Sequence, residues 1–186
     1  MIKNVRALKW LFIIMFFATA TLAQSEAPQI GAFAVGRGPE GVTFDGANVW
    51  VTNQFSDNVT KLRGSDGAVI GTYAVGKRPI GVAFDGGSVW VTNLLGDSVT
   101  KLQALNGAVI GTYAVGDGPG GIAFDGTNLW VANRFSDNVT KLRTSDGAVL
   151  GTYAVGRGPF GVALAPTGAG VIVWVANFGS DTVSKL

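Results

Sequence analysis

Residues 81–102, GVAFDGGSVWVTNLLGDSVTKL, hold three short runs of β-prone residues cut apart by glycine and small polar residues. With the flanking sequence they predict four strands, at 80–84, 88–92, 98–102 and 108–115, here termed a, b, c and d. Asp85-Gly86 between a and b, and Asn106-Gly107 between c and d, carry the strongest short-range hairpin signal, because glycine accepts a positive φ. The expected unit is a four-stranded antiparallel meander. Val89-Trp90-Val91 puts apolar side chains on both faces of strand b, as expected when a sheet is covered on both sides.

Moving outward, the same phrase recurs. Residues 31–70 match 71–110 at 24 of 40 positions without a gap, and Trp50, Trp90 and Trp130 stand 40 apart. The fourth copy carries Trp174 after a four-residue insertion around 166–170. A period of this size made of short strands predicts an all-β fold, a β-propeller of four-stranded antiparallel blades with repeats at 31–70, 71–110, 111–150 and 151–186. The tryptophans are expected between blades.

The phase of the repeat is informative. A d-type segment, 29–35, precedes the first full copy, and the fourth copy is read only as far as its c segment, 181–186. The N-terminal strand is therefore expected to complete the last blade and remove exposed edges. Three arrangements satisfy this: four blades closing alone, two chains building an eight-bladed ring by exchanging first strands, or a piece of a longer array.

Residues 1–23 are different text. Lys3, Arg6 and Lys9 precede an apolar run at 10–17 and small residues at 18–23. They read as a secretory signal cleaved after Ala23, the apolar run being short for a membrane span; an uncleaved anchor is the alternative. Residues 24–30 lead into the closing strand, and 31–186 form the repeat domain. The expected location is periplasmic, cell-surface or secreted, with no membrane span after cleavage.

Removing three of the 14 basic residues leaves 11 against 12 acidic ones. A mature chain of that balance lacks the basic excess that nucleic-acid binding demands. With no cysteine, an exported domain must be held by its core, which a domain of this size achieves by burying ~70% of its unfolded surface.

Val75-Gly76, Pro79, Gly81 to Gly86, Trp90-Val91-Thr92-Asn93 and Val99-Thr100-Lys101-Leu102 together resemble the YVTN-type β-propeller repeat proteins. The wider group holds NHL repeats and the streptogramin lyases. The resemblance covers residues 29–186 and implies a bacterial exported propeller that acts through binding. The lyases of that group use a histidine beside magnesium, and this chain has no histidine. No cofactor is expected.

Repeated polar residues are read structurally. Asp57, Asp97, Asp137 and Asp181 are expected to cap turns rather than gather around calcium, which needs six to eight oxygens on one ion. Asn53, Asn93, Asn133 and Asn177 are expected to satisfy loop backbone. Lys61, Lys101, Lys141 and Lys185 are expected in solvent with their stems on the sheet, and Asn58 and Asn138 to start strands rather than carry sugar.

The copies differ most in the d-to-a and b-to-c loops, which a meander places on one rim. That rim gathers Arg37, Phe55, Lys77, Arg78, Arg134, Phe135, Arg157, Phe160 and Phe178, a set suited to an anionic group, a sugar or a protein partner. The expected function is a non-catalytic binding module, monomeric or homodimeric. The alternatives are a lyase-like enzyme using Lys77 or Asp117 as base, or a structural envelope protein.

Overall fold

Fifteen strands lie among the described residues, which are 31–168 and 170–186 of this computed structural model. The expected signal, 1–23, and the segment 24–30 lie outside them. The first sheet holds β1 (Pro39–Phe44), β2 (Asn48–Asn53), β3 (Asn58–Arg63) and β4 (Val69–Ala74). The second holds β5 (Pro79–Phe84), β6 (Ser88–Asn93), β7 (Ser98–Gln103) and β8 (Val109–Ala114), and the third β9 (Pro119–Phe124), β10 (Asn128–Asn133), β11 (Asn138–Arg143) and β12 (Val149–Ala154). The fourth has β13 (Pro159–Thr167), β14 (Gly170–Asn177) and β15 (Thr182–Lys185). Every neighbour pair is antiparallel and in sequence order, the meander the turns predict. The insertion in the fourth copy lengthens its first hairpin, so β13 and β14 run to 9 and 8 residues where other blades have 6.

Blades pack face to face within the unit Phe33–Leu186. β1 lies on β5, β5 on β9 and β9 on β13. The approach is close because the inner strands carry glycine: a Cβ on Gly41 would press into the Ile80 carbonyl, one on Gly81 into that of Gly120, and one on Gly121 into that of Phe160. At the first junction Trp50, Val59 and Tyr73 meet Val82, Phe84, Val89, Val91 and Leu102 of the second blade. The second and third junctions repeat this around Trp90 and Trp130.

Each junction tryptophan is held on every side. The indole N–H groups of Trp50, Trp90 and Trp130 donate to Asp45, Asp85 and Asp125 at 2.7, 2.7 and 2.8 Å. Tyr73, Tyr113 and Tyr153 lie 5.5 to 5.6 Å away. Lys61, Lys101 and Lys141 set their ammonium groups 4.9, 4.8 and 4.7 Å from the ring centres. Lys61 and Lys101 are buried, not solvated as the sequence suggested. The cause is the following blade, whose c-to-d turn reaches each ammonium: Lys61 Nζ donates to the Ala104 carbonyl at 2.6 Å and Lys101 Nζ to that of Thr144 at 2.7 Å.

Among the described residues the expected clasp is not formed. The fourth sheet has three strands, and residues 31–35 belong to no strand; Gln29 and Ile30 lie outside the described residues. Phe33 instead rests against Gly67 of the first blade, as Tyr73 rests on Gly107. Four blades do not close on themselves either, since β1 and β13 make no packing contact like that of the other inner strands. Val42 and Phe44 at one end are 64% and 56% exposed, and Trp174 and Val183 at the other 40% and 63%, where Trp50 and Val59 are fully buried.

Candidate ligand-binding rim

The rim is assembled from backbone first. Within each blade the b-to-c loop donates to the d-to-a loop: Phe55 N–H to the Arg37 carbonyl at 3.1 Å, Leu95 to Lys77 at 3.2 Å, Phe135 to Asp117 at 3.0 Å and Gly179 to Arg157 at 2.9 Å. Both variable loop sets therefore share one end of the array. Between blades, the Oδ1 atoms of Asp57, Asp97 and Asp137 accept from the backbone N–H of Arg78, Gly118 and Gly158 at 2.8, 2.9 and 2.8 Å. These aspartates, with φ of 51, 46 and 51°, cap not their own turn alone but the loop of the next blade. Asparagine closes the inside: Asn53 Nδ2 donates to Asn58 Oδ1 and Thr60 Oγ1 at 2.8 and 2.9 Å, and Asn93 Oδ1 accepts from Gly76 N–H at 3.0 Å.

On this frame the expected residues fall into two clusters. Arg37, Phe55, Lys77 and Arg78 surround a depression of about 500 Å³ together with Gln54, Asp57 and Leu95. The Arg78 guanidinium stands 5.7 Å from the Phe55 ring centre and donates from Nη2 to Gln54 Oε1 at 3.2 Å. Its Nε is buried without a protein partner. Arg37 Nη2 donates to the Phe55 carbonyl at 3.1 Å.

The second cluster is centred on Arg134, which lies 5.9 Å from Phe135, 5.9 Å from Phe160 and 5.5 Å from Phe178. Phe55, Phe135 and Phe178 remain largely exposed. Arg157 shares the rim, its N–H bonded to Ser180 Oγ at 3.1 Å and its carbonyl accepting from Gly179 N–H, beside Phe178, at 2.9 Å. Gln54, Asp57 and Leu95 were missed as site residues; the loop differences pointed to the first and last, whereas Asp57 recurs in all four copies and was read as a turn cap.

Two ion pairs occur among the described residues, Arg63 with Asp66 at 2.8 Å and Arg143 with Asp146 at 3.0 Å. Both lie in c-to-d turns, at the opposite end of the strands. Among the described residues the rim cations form no ion pair of that kind. No group of three or more acidic, cysteine or histidine side chains that could hold a metal occurs among the described residues. Lys77 and Asp117 occupy equivalent loop positions, but only Lys77 lines the depression; Asp117 N–H is bonded to Ser136 Oγ at 2.7 Å.

No protein-family model and no curated protein matches the chain. Solved structures do. Hydrazine synthase of Kuenenia stuttgartiensis superposes with a TM-score of 0.74 at 25% identity, over 84% of this chain and 48% of that one. Virginiamycin B lyase of Staphylococcus aureus gives 0.62 at 16% identity, over 80% of this chain and 55% of that one. The chain is a β-propeller. Its neighbours bear out the fold that the repeated Trp-Val-Thr-Asn phrase implied. This propeller spans about half the length of the hydrazine synthase and lyase chains, whereas the computationally designed Ika4 protein matches over 86% of this chain and 98% of its own, with a TM-score of 0.71 at 9% identity.

Proposed function

We propose that this propeller is a non-catalytic exported binding module whose loop-bearing rim takes an anionic ligand, such as an acidic envelope polysaccharide. The observation that carries the reading is the state of the rim cations. Arg78 and Arg134 are stacked on phenylalanine and lack carboxylate partners, while the arginines of the opposite c-to-d turns are paired. Stacking holds a planar guanidinium in place and leaves its donor edge for bidentate contact with a carboxylate or sulfate. The exposed phenylalanines supply apolar faces on which sugar rings can lie.

The test uses dextran sulfate and alginate as probes, titrated by calorimetry against the native chain and against a triple variant, Arg78→Gln, Arg134→Gln and Arg157→Gln. Loss of three charge-assisted contacts should weaken binding at least about tenfold, and added salt should weaken the native affinity in the same direction. Absence of binding to either polyanion, or equal affinity in the variant, overturns the reading.

A further inference from the structure

Every junction between blades joins the same two half-surfaces. The earlier blade supplies a forward half, as in Trp50, Val59 and Tyr73; the later blade supplies a rear half, as in Val82, Phe84, Val89, Val91 and Leu102. Polar contacts cross with them. A forward aspartate accepts from a loop N–H of the next blade, an inner-strand glycine receives its carbonyl, and at the first two junctions a forward lysine donates to its c-to-d turn.

Blade four carries the tryptophan and valine of a forward half, with no other described blade packed upon them. Trp174 and Val183 are exposed, and Asp181 holds a φ of 53°, as its three counterparts do at 46 to 51°. Lys185 lies 5.7 Å from the Trp174 ring centre. At Gly161 the nearest atom to a built Cβ is Ala176 Cβ at 3.6 Å, where Gly121 meets the Phe160 carbonyl. A depression of about 490 Å³ lined by Phe160, Gly161, Ala176 and Val183 marks the vacant place.

Blade one carries the matching rear half. Val42 and Phe44 stand where Val82 and Phe84 stand in the second blade, and are exposed. Gly38, with φ 64°, repeats the conformation of Gly118 (64°) and Gly158 (60°), whose N–H groups meet the preceding blade's aspartate. Phe33 sits on Gly67 in the place that Tyr73 of the preceding blade takes on Gly107. Phe33 thus takes the place of an outer-strand residue belonging to a blade before the first, and among the described residues β15 is a sheet edge lacking an outer strand.

We propose that the two open faces bind a second copy of this chain head to tail, blade four of each on blade one of the other, in an eight-bladed ring with twofold symmetry. Asp181 of one copy accepts from Gly38 N–H of the other, and Gly161 receives the Glu40 carbonyl. The segment around Phe33 supplies the outer strand beside β15 of the other copy. Head-to-tail contacts of this kind close into a ring when their rotation permits. The propeller chains matched at 48% and 55% of their own length give the scale, since two copies of this chain make up about one of them.

The experiment measures molar mass by light scattering across a dilution series, with Trp fluorescence read in parallel, on the full chain and on Gly161→Leu and Val183→Asp. Twice the chain mass of 19.2 kDa is expected at micromolar concentration, with a red shift in emission on dilution as Trp174 enters water. Both variants should be monomeric, and their far-UV dichroism should match the native chain, because a side chain at 161 would meet only Ala176 of its own blade and Val183 is exposed. If Gly161→Leu fails to fold, Val183→Asp alone decides. A native chain that stays monomeric overturns the proposal and leaves the faces to another protein or to further blades. A dimer indifferent to a folded variant, or a mass that keeps growing with concentration, overturns it too.

Discussion

Asp45 and Asp125 show how much one turn residue can do. Burial opposes ionisation of Asp45, but the indole of Trp50 and the backbone N–H groups of Ala47 and Asn48 outweigh it and hold its carboxyl below the usual range. Asp125 behaves alike: burial opposes, and Asn128, Trp130 and Thr127 prevail. A carboxylate whose folded pKa lies below its unfolded value stabilises the native state above about pH 4, and that contribution is lost as pH falls through the folded value. Asp45→Asn should therefore melt lower than the native chain at pH 7, and the gap should narrow below about pH 4 in thermal scans. Lys101 gives a second expectation at this scale. Lys101→Met keeps the stem but drops the bond to Thr144, and should cost about 1–3 kcal/mol in denaturant titration. The hairpin role of Asp-Gly was legible because turn chemistry is local. The indole bond and the buried lysines were not, because they depend on a hairpin's cross-strand register and on a turn 43 residues further along the chain.

Among elements, the junctions rest on the glycines of the inner strands and on the tryptophans of β2, β6 and β10. Trp90 is fully buried, and Trp90→Ala should cost about 3–5 kcal/mol, a large part of a typical 5–15 kcal/mol stability. Gly81→Ala forces a methyl against the Gly120 carbonyl and should cost about 1–3 kcal/mol through overpacking. Melting curves of either variant superimposable on the native one would contradict a tightly packed junction. Strand positions were legible to within a residue: 80–84 and 98–102 were expected where Pro79–Phe84 and Ser98–Gln103 are observed. The alternation of short apolar runs with glycine leaves little freedom in where a six-residue strand starts. The extended β13–β14 arm was visible only as an insertion, since periodicity says that residues are added and not what shape they take.

At the scale of the whole molecule, protection should be graded outward from the array's interior. β6 is buried along its length, while the outer strands β4, β8 and β12 are mostly exposed. Amide exchange should be slowest in β6 and fastest in those outer strands; uniform protection would contradict the layering. The repeats within this chain could be counted from the sequence, and the rim loops could be located, because both follow from the repeat and the meander; the blade number of a finished ring could not. Closure could not. It depends on the angle that side-chain wedges set between neighbouring sheets, and the positions that would reveal it, such as Trp174 and Val42, look the same in the text whether covered or bare. The stacking of Arg134 on three rings escaped for the same reason, as it joins loops of adjacent blades.

The inter-blade bonds also order the way the chain must assemble. Asp57, Lys61 and Thr52 each find their partner, Arg78 N–H and the Ala104 and Ile80 carbonyls, in the copy that follows. A single meander emerging during synthesis therefore holds unanswered polar groups, and settles only when its successor arrives. Cooperativity belongs to the series, and damage to one link should loosen its upstream neighbour before its downstream one.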